Sequence, residues 1–176
     1  TERKISGTVE IDVYLQDTSN IEVIAETVKA NVDGYFLSDK SETTILAKWN
    51  STRYIEVADK KVTVAAVLFT LLAFPNQLTC EPDPIRLVNE WTRKLLPDVK
   101  LIGYDENIPT VWKPKKDIPA VYWRKTKVSN CERIPSMYVG DWYTSVMNAH
   151  IFTEDIAVSN AIANLMCTKL NQKKVL

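Results

Sequence analysis

Hydrophobic and polar positions alternate along the first part of the chain. Val9, Ile11, Val13 and Leu15 fall to one side, and Glu10, Asp12 and Tyr14 to the other. A period of two predicts a strand with one wet face. The period then lengthens. Ser19-Asn20-Ile21-Glu22 has the spacing of a capping box, in which hydroxyl and carboxylate satisfy each other's backbone N–H groups, so a helix is expected to start there. Ile21, Ile24, Ala25 and Val28 supply its apolar face, and Gly34 a left-handed stop. Two strands are expected next, over residues 44–49 and 53–57, parted by a polar turn at Asn50-Ser51. The run VTVAAVLFTLLAF, Val62 to Phe74, shows no polar face. Its 13 residues fall short of the roughly 20 that a membrane-spanning helix needs. It is expected to form a buried helix or a strand-to-helix junction.

Pro75, Pro82 and Pro84 imply a kinked connection after that run. Asp83 is placed to cap a helix with Pro84 at its first position, where the missing N–H costs nothing. Ile85, Val88, Trp91 or Thr92, and Leu95 form its apolar stripe, and Pro97 ends it. A strand over 99–104, a Pro- and Lys-rich loop over 105–117, and strands over 120–128 and 138–152 should follow. The last element is a helix from about Asp155, capped by Thr153, with Glu154 and Asp155 at the positive end of its dipole. Its inner face is Val158, Ile162, Leu165, Met166 and Lys169 or Leu170. This order predicts an α+β fold: an antiparallel or mixed sheet with helices packed on one face, a single-layer sandwich. Residues 1–176 are expected to form one domain, in which 1–80 stand as an elaboration on a helix-strand-strand-strand-helix core over 85–176.

Composition changes this picture little. Apolar residues at 45% and charged residues at 25% are ordinary for a globular chain and exclude collagen-like or disordered classes. The net charge is zero, which advertises neither nucleic acid nor an acidic membrane. Its distribution is uneven. Residues 1–60 carry seven Lys/Arg against eleven Asp/Glu, whereas residues 86–133 carry eleven against six. An acidic patch meeting a basic one on the next copy would suit head-to-tail association; plain solvated faces would give the same count. Cys80, Cys131 and Cys167 form no C-x-x-C pair, so neither a zinc site nor a disulfide framework is indicated, and free thiols in a reducing compartment are expected. TERKISGTVE lacks the apolar run of a signal peptide, so the glycosylation pattern Asn50-Ser51-Thr52 carries no expected consequence.

Chemistry is sparse. His150 is the one histidine and thus the one ordinary candidate for a general base, but no nucleophile elbow or metal-binding motif surrounds it. It alternates with Thr144, Val146, Asn148 and Phe152 as a rung on a strand face, and a structural role is the preferred reading. The four glycines are scattered, which argues against a phosphate-cradling loop. Glu154 and Asp155 are adjacent at a helix start and do not share a face, so capping explains them better than paired catalysis. No catalytic, cofactor-binding or metal residue is assigned, no cofactor is expected, and the chain is read as not an enzyme. A cluster suited to binding remains: Trp112-Lys113-Pro114-Lys115-Lys116 with Trp123-Arg124-Lys125-Thr126-Lys127. Interleaved cations and aromatics hold single-stranded nucleic acid by phosphate contacts and stacking, and serve equally as a rim for an acidic protein partner.

The later half carries a resemblance. A helix ending Leu-Leu-Pro, within Trp91 to Pro97, leads to Ile118-Pro119-Ala120-Val121-Tyr122-Trp123-Arg124; then come Trp142-Tyr143-Thr144-Ser145-Val146-Met147-Asn148-Ala149-His150-Ile151-Phe152-Thr153 and a closing helix. Over residues 85–176 this resembles the tail-terminator and tail-completion (head-tail joining) proteins of long-tailed bacteriophages. Residues 1–80 depart from the short helical N-terminus of that family. The resemblance implies a structural virion protein, found in the host cytoplasm during assembly and then in the tail or neck. It would form a hexameric ring with copies of itself, cap the tail tube protein, stop tube polymerisation and offer a surface to head connector or neck proteins. No membrane is implied, and no nucleic acid except DNA passing through the lumen. Independently of the family, charge points to Lys113, Lys115, Lys116, Arg124, Lys125, Lys127 and Arg133 as a basic protein-interface rim. The alternative reading is a single-stranded nucleic-acid-binding module built on residues 112–127.

Overall fold

The computed structural model describes residues 6–16, 20–38, 43–57, 59, 61–75, 77, 83–106, 108–130 and 143–172. The fold is α+β, with three helices and eight strands in two sheets among these residues. One domain was the expectation; the chain sorts into two compact units. The first runs to Pro75 and takes back Pro109–Lys113, and the second holds the rest.

The first unit contains β1 (Ser6–Leu15), α1 (Ile21–Val32), β2 (Phe36–Ser38), β3 (Thr44–Val57), β4 (Val62–Phe74) and the short β6 (Val111–Trp112). Its sheet has the order β1-β4-β3-β2-β6. The apolar run Val62–Phe74 is therefore neither a helix nor a junction. It is an interior strand, antiparallel to β1 over Ser6–Leu15 and to β3 over most of its length. Consecutive residues from Thr63 to Val67 are buried, so both sides of the strand are apolar there and no polar face was visible. Ala65, Val67 and Phe69 point to one face and pack on Ile21 and Ala25 of α1, with Ile11, Val13, Val28 and Val32 around them. Ile24, expected on the inner face of α1, is instead exposed, because the stripe runs Ile21, Ala25, Val28, Val32. Asn20 is the N-cap of α1 and makes no side-chain cap bond; Ser19 of the expected capping box lies outside the described residues.

The two strands expected around Asn50-Ser51 are one strand, β3. The polar pair is absorbed as a bulge between Trp49 and Ser51. The long β4 continues beneath it, and pairing resumes on the far side once one residue is left out. The Trp49 N–H donates to Asp33 Oδ1 at 2.8 Å, and the Lys29 ammonium lies 4.1 Å from the Trp49 ring centroid. Gly34 has φ +77°, the left-handed stop expected of it, and its N–H donates to the Ala47 carbonyl.

The second unit contains α2 (Pro84–Leu95), β5 (Lys100–Leu101), β7 (Ala120–Asn130), β8 (Tyr143–Phe152) and α3 (Ile156–Gln172). Its sheet has the order β5-β7-β8, parallel between β5 and β7 and antiparallel between β7 and β8. Asp83 caps α2 as expected, accepting the Ile85 N–H at 3.0 Å. The strand expected over 99–104 shrinks to two residues, because the N–H groups of Tyr104 and Asp105 turn back to the Leu101 carbonyl and Gly103 supplies the positive φ of +76°. The cap of α3 is Asp155 rather than Thr153. Asp155 Oδ1 accepts the Ala157 N–H at 2.8 Å and its carbonyl accepts the Ser159 N–H, while Thr153 bonds only to the Asp155 N–H. The core is Val99, Leu101, Val121, Trp123, Ile162 and Met166, flanked by Ile85, Val88, Trp91, Leu95, Met147 and Ile151.

Candidate functional site

The residues singled out in the sequence for binding are Lys113, Lys115, Lys116, Arg124, Lys125, Lys127 and Arg133. Their placement follows from local structure. Lys113 follows β6 in the first unit; its ammonium lies 5.7 Å from the Tyr35 ring centroid, and its Cε would stand 3.1 Å from a Cβ added at Gly34. Lys115 and Lys116 are exposed in the turn closed by the Lys115 N–H on the Ile118 carbonyl. Lys116 is ion-paired with Asp155 at 3.2 Å. It thereby helps the Ala157 N–H hold the Asp155 carboxyl below its usual range, the backbone bond being the larger cause.

Arg124, Lys125 and Lys127 lie on β7, where simple alternation would put Lys125 and Lys127 on one face. A bulge between these two changes that. Lys125 pairs with Met147, whose side chain packs on the core, whereas Lys127 pairs with Val146 and so joins the face of Arg124. Arg124 and Lys127 are thus brought to one face; Lys113 belongs to the other unit, and Arg133 lies outside the described residues.

The aromatic members of the cluster are packed on protein. Trp123 is 6% exposed, and its indole N–H donates to Thr92 Oγ1 at 2.9 Å. Trp112 stacks on Phe36 with ring centroids 4.7 Å apart. A base could stack on Trp123 only by displacing the residues that bury it, whereas half-buried Trp112 has one ring face taken by Phe36.

His150 sits on β8 opposite Tyr122, ring centroids 6.0 Å apart. Its Nε2 is buried with no hydrogen-bond partner among the described residues, so no hydroxyl or thiol there is poised against it as a nucleophile would be. Burial pushes its pKa down from the ordinary 6.5, and the Arg124 charge pushes it the same way. Burial raises the Tyr122 hydroxyl, which Arg124 partly offsets. A neutral imidazole against a neutral phenol is the state this pocket favours. Among the described residues no group of three His, Cys, Asp or Glu could hold a metal ion, and no helix is long and apolar enough to cross a membrane.

The sequence reading missed two features. The Gln77 side-chain amide donates to the Trp123 carbonyl and accepts the Lys125 N–H, both at 2.6 Å, and so completes the edge of β7 beyond the short β5. Arg53 of β3 is ion-paired at 2.6 Å with Glu10 of β1, from the far side of β4. A glutamine two residues after a proline and an arginine in an apparent strand carry no sequence signal of either role. When the chain is compared with protein-family models, curated proteins and solved structures, none matches it.

Proposed function

We propose that the protein is a structural subunit that assembles as a ring, caps a phage tail tube, stops its growth and supplies the surface that joins the tail to the head. One observation carries this reading. The segments that resemble the tail-terminator family lie together in one compact unit: α2 precedes the Ile118–Arg124 stretch, β7 pairs antiparallel with β8, and α3 follows. The shared pattern therefore corresponds to a contiguous packing core, in which Val121, Trp123, Ile162 and Met166 meet, rather than to scattered local likenesses. The single-stranded nucleic-acid alternative is weakened by the burial of Trp123, since base stacking needs an accessible ring face.

The test is electron microscopy of the purified chain mixed with tail tubes, with light scattering of the chain alone. Rings at one tube end and arrested tube length are the expected outcome. Tubes that stay bare and keep growing would overturn the reading.

A further inference from the structure

One face of the three-stranded sheet holds positive charge that nothing answers. Val121, Trp123, Met147 and Ile151 turn to the core that α2 and α3 complete. Register places the alternate residues on the opposite face: Lys100 beside Ala120, Tyr122 across from His150, Arg124 across from Asn148, and Lys127 across from Val146. The Arg124 and Lys127 rungs are neighbours there, about 7 Å apart along the strands. None of the three strands carries an Asp or Glu. Among the described residues Lys100, Arg124 and Lys127 have no ion pair, and the Arg124 guanidinium makes no hydrogen bond. The other cations of the sequence cluster are placed differently. Lys116 is paired with Asp155, Lys125 is turned to the core side, and Lys113 belongs to the first unit.

Arg124 is the centre of this patch. A half-buried guanidinium without a counter-charge has lost part of its hydration, and a carboxylate bound by its planar fork would offset that loss. Its field is felt by its neighbours: after burial it is the second cause that lowers His150, and it offsets part of the rise that burial gives Tyr122. Exposed Asn148 adds an amide beside it, and Val146, 45% exposed, adds an apolar contact at the next rung. An arginine set among an amide, an aliphatic side chain and half-buried rings has the composition of a protein-interface centre. A nucleic-acid surface would add an open aromatic ring for stacking, and Trp123 of this sheet is buried on the other side.

We infer that this face docks an acidic segment of a protein partner, with one carboxylate held by Arg124 and Asn148 and a second by Lys127. Lys100 extends the positive field toward the other end of β7 and favours a segment with several carboxylates. The inference stands apart from the ring reading, because it uses only the second unit's own sheet.

The test is a titration of the isotope-labelled full chain with a blocked hexaglutamate peptide in low-salt buffer, followed by NMR. His150 is the one histidine, so its ring signals report on this face without overlap. Binding should shift the amides of Arg124, Lys127 and Asn148 and raise the His150 pKa, because bound carboxylates offset the Arg124 charge. Arg124→Gln should weaken the peptide about tenfold and Lys127→Gln about threefold. Arg124→Lys should fall between Arg124→Gln and the parent, since an ammonium keeps the charge and loses the fork. Lys94→Gln, an equal loss of charge at an exposed position of α2, should leave the affinity unchanged. A circular dichroism spectrum matching the parent shows that a variant folds; if Arg124→Gln does not, the His150 titration of the parent decides. Binding that leaves His150 unmoved, or that Lys94→Gln weakens as much as Arg124→Gln, overturns the site, and so does no binding at low salt. Duplex DNA of equal charge bound more tightly than the peptide overturns the carboxylate ligand in favour of phosphate.

Discussion

β4 and β7 are interior strands of the two units, each flanked on both edges, yet they are held in different ways. β4 has a strand on each side for most of its length, so its backbone groups are satisfied by neighbours and its side chains are nearly all apolar. β7 has β8 on one side but only the two residues of β5 on the other. There polar side chains finish what the sheet leaves open: the Gln77 amide meets the bare β7 edge and Thr92 receives the Trp123 indole N–H. Arg93, bonded to the Pro97 and Val99 carbonyls and to Asp105, ties the end of α2 to the turn that follows β5. A wide sheet is stabilised by apolar burial with little chemical specificity. A narrow one needs particular polar residues, because a buried backbone group without a partner costs more than a typical hydrogen bond contributes.

Perturbations of the two strands should therefore differ in kind. Phe69, fully buried on β4, has the largest expected effect: Phe69→Ala should cost about 3–5 kcal/mol through lost transfer energy and a cavity. Denaturant unfolding measures the loss, and hydrogen exchange should place it in β1, β3 and β4. Removing the clamp on β7 is next. Gln77→Ala leaves the Trp123 carbonyl and the Lys125 N–H without this partner and should cost about 1–2 kcal/mol. The Lys125 amide should exchange faster, and a rate equal to the parent's would remove the edge-completion role.

The two helix starts give a smaller contrast. Asp83→Ala should destabilise by about 1 kcal/mol, since it deletes a cap bond. Asn20→Ala should change stability by less than about 0.5 kcal/mol, since no side-chain cap bond exists there to lose. Equal effects in thermal melts would erase this difference between the units.

The smallest effect belongs to His150. Its folded pKa lies below the ordinary 6.5 because of burial and then Arg124, so the unfolded chain takes up the proton first as pH falls. The stability it contributes is complete above about pH 6.5 and declines as pH drops through the window between that value and the lower folded one. His150→Phe should flatten this slope in melts collected across the window while the fold persists.

Much of the local structure was legible because it depends on neighbours in sequence. The alternation of Val9–Leu15, the Asp83-Pro84 helix start, the Gly34 stop, and the strand-strand-helix order at the end all appear at the expected places. The errors in strand assignment within the first unit share one cause. Val62–Phe74 has no periodicity to decide between helix and strand, and only the presence of β1 and β3 on its two sides settles it. Asn50-Ser51 has turn chemistry, but continued pairing with β4 turns it into a bulge. Sequence counts the charges of the basic cluster by position; the structure adds that the bulge after Lys125 brings Lys127 to the face of Arg124 and that Lys113 belongs to the first unit.

By itself, then, the sequence determined the α+β class and particular element ends such as the Asp83-Pro84 helix start and the Gly34 stop, which rest on side-chain and backbone chemistry within a few residues. Only the tertiary structure decided which strands are neighbours, which edges stay open and which cations share a face. Strand pairing is a long-range contact: β1 meets β4 across some fifty residues of chain, and no short pattern in either strand records the identity of its partner.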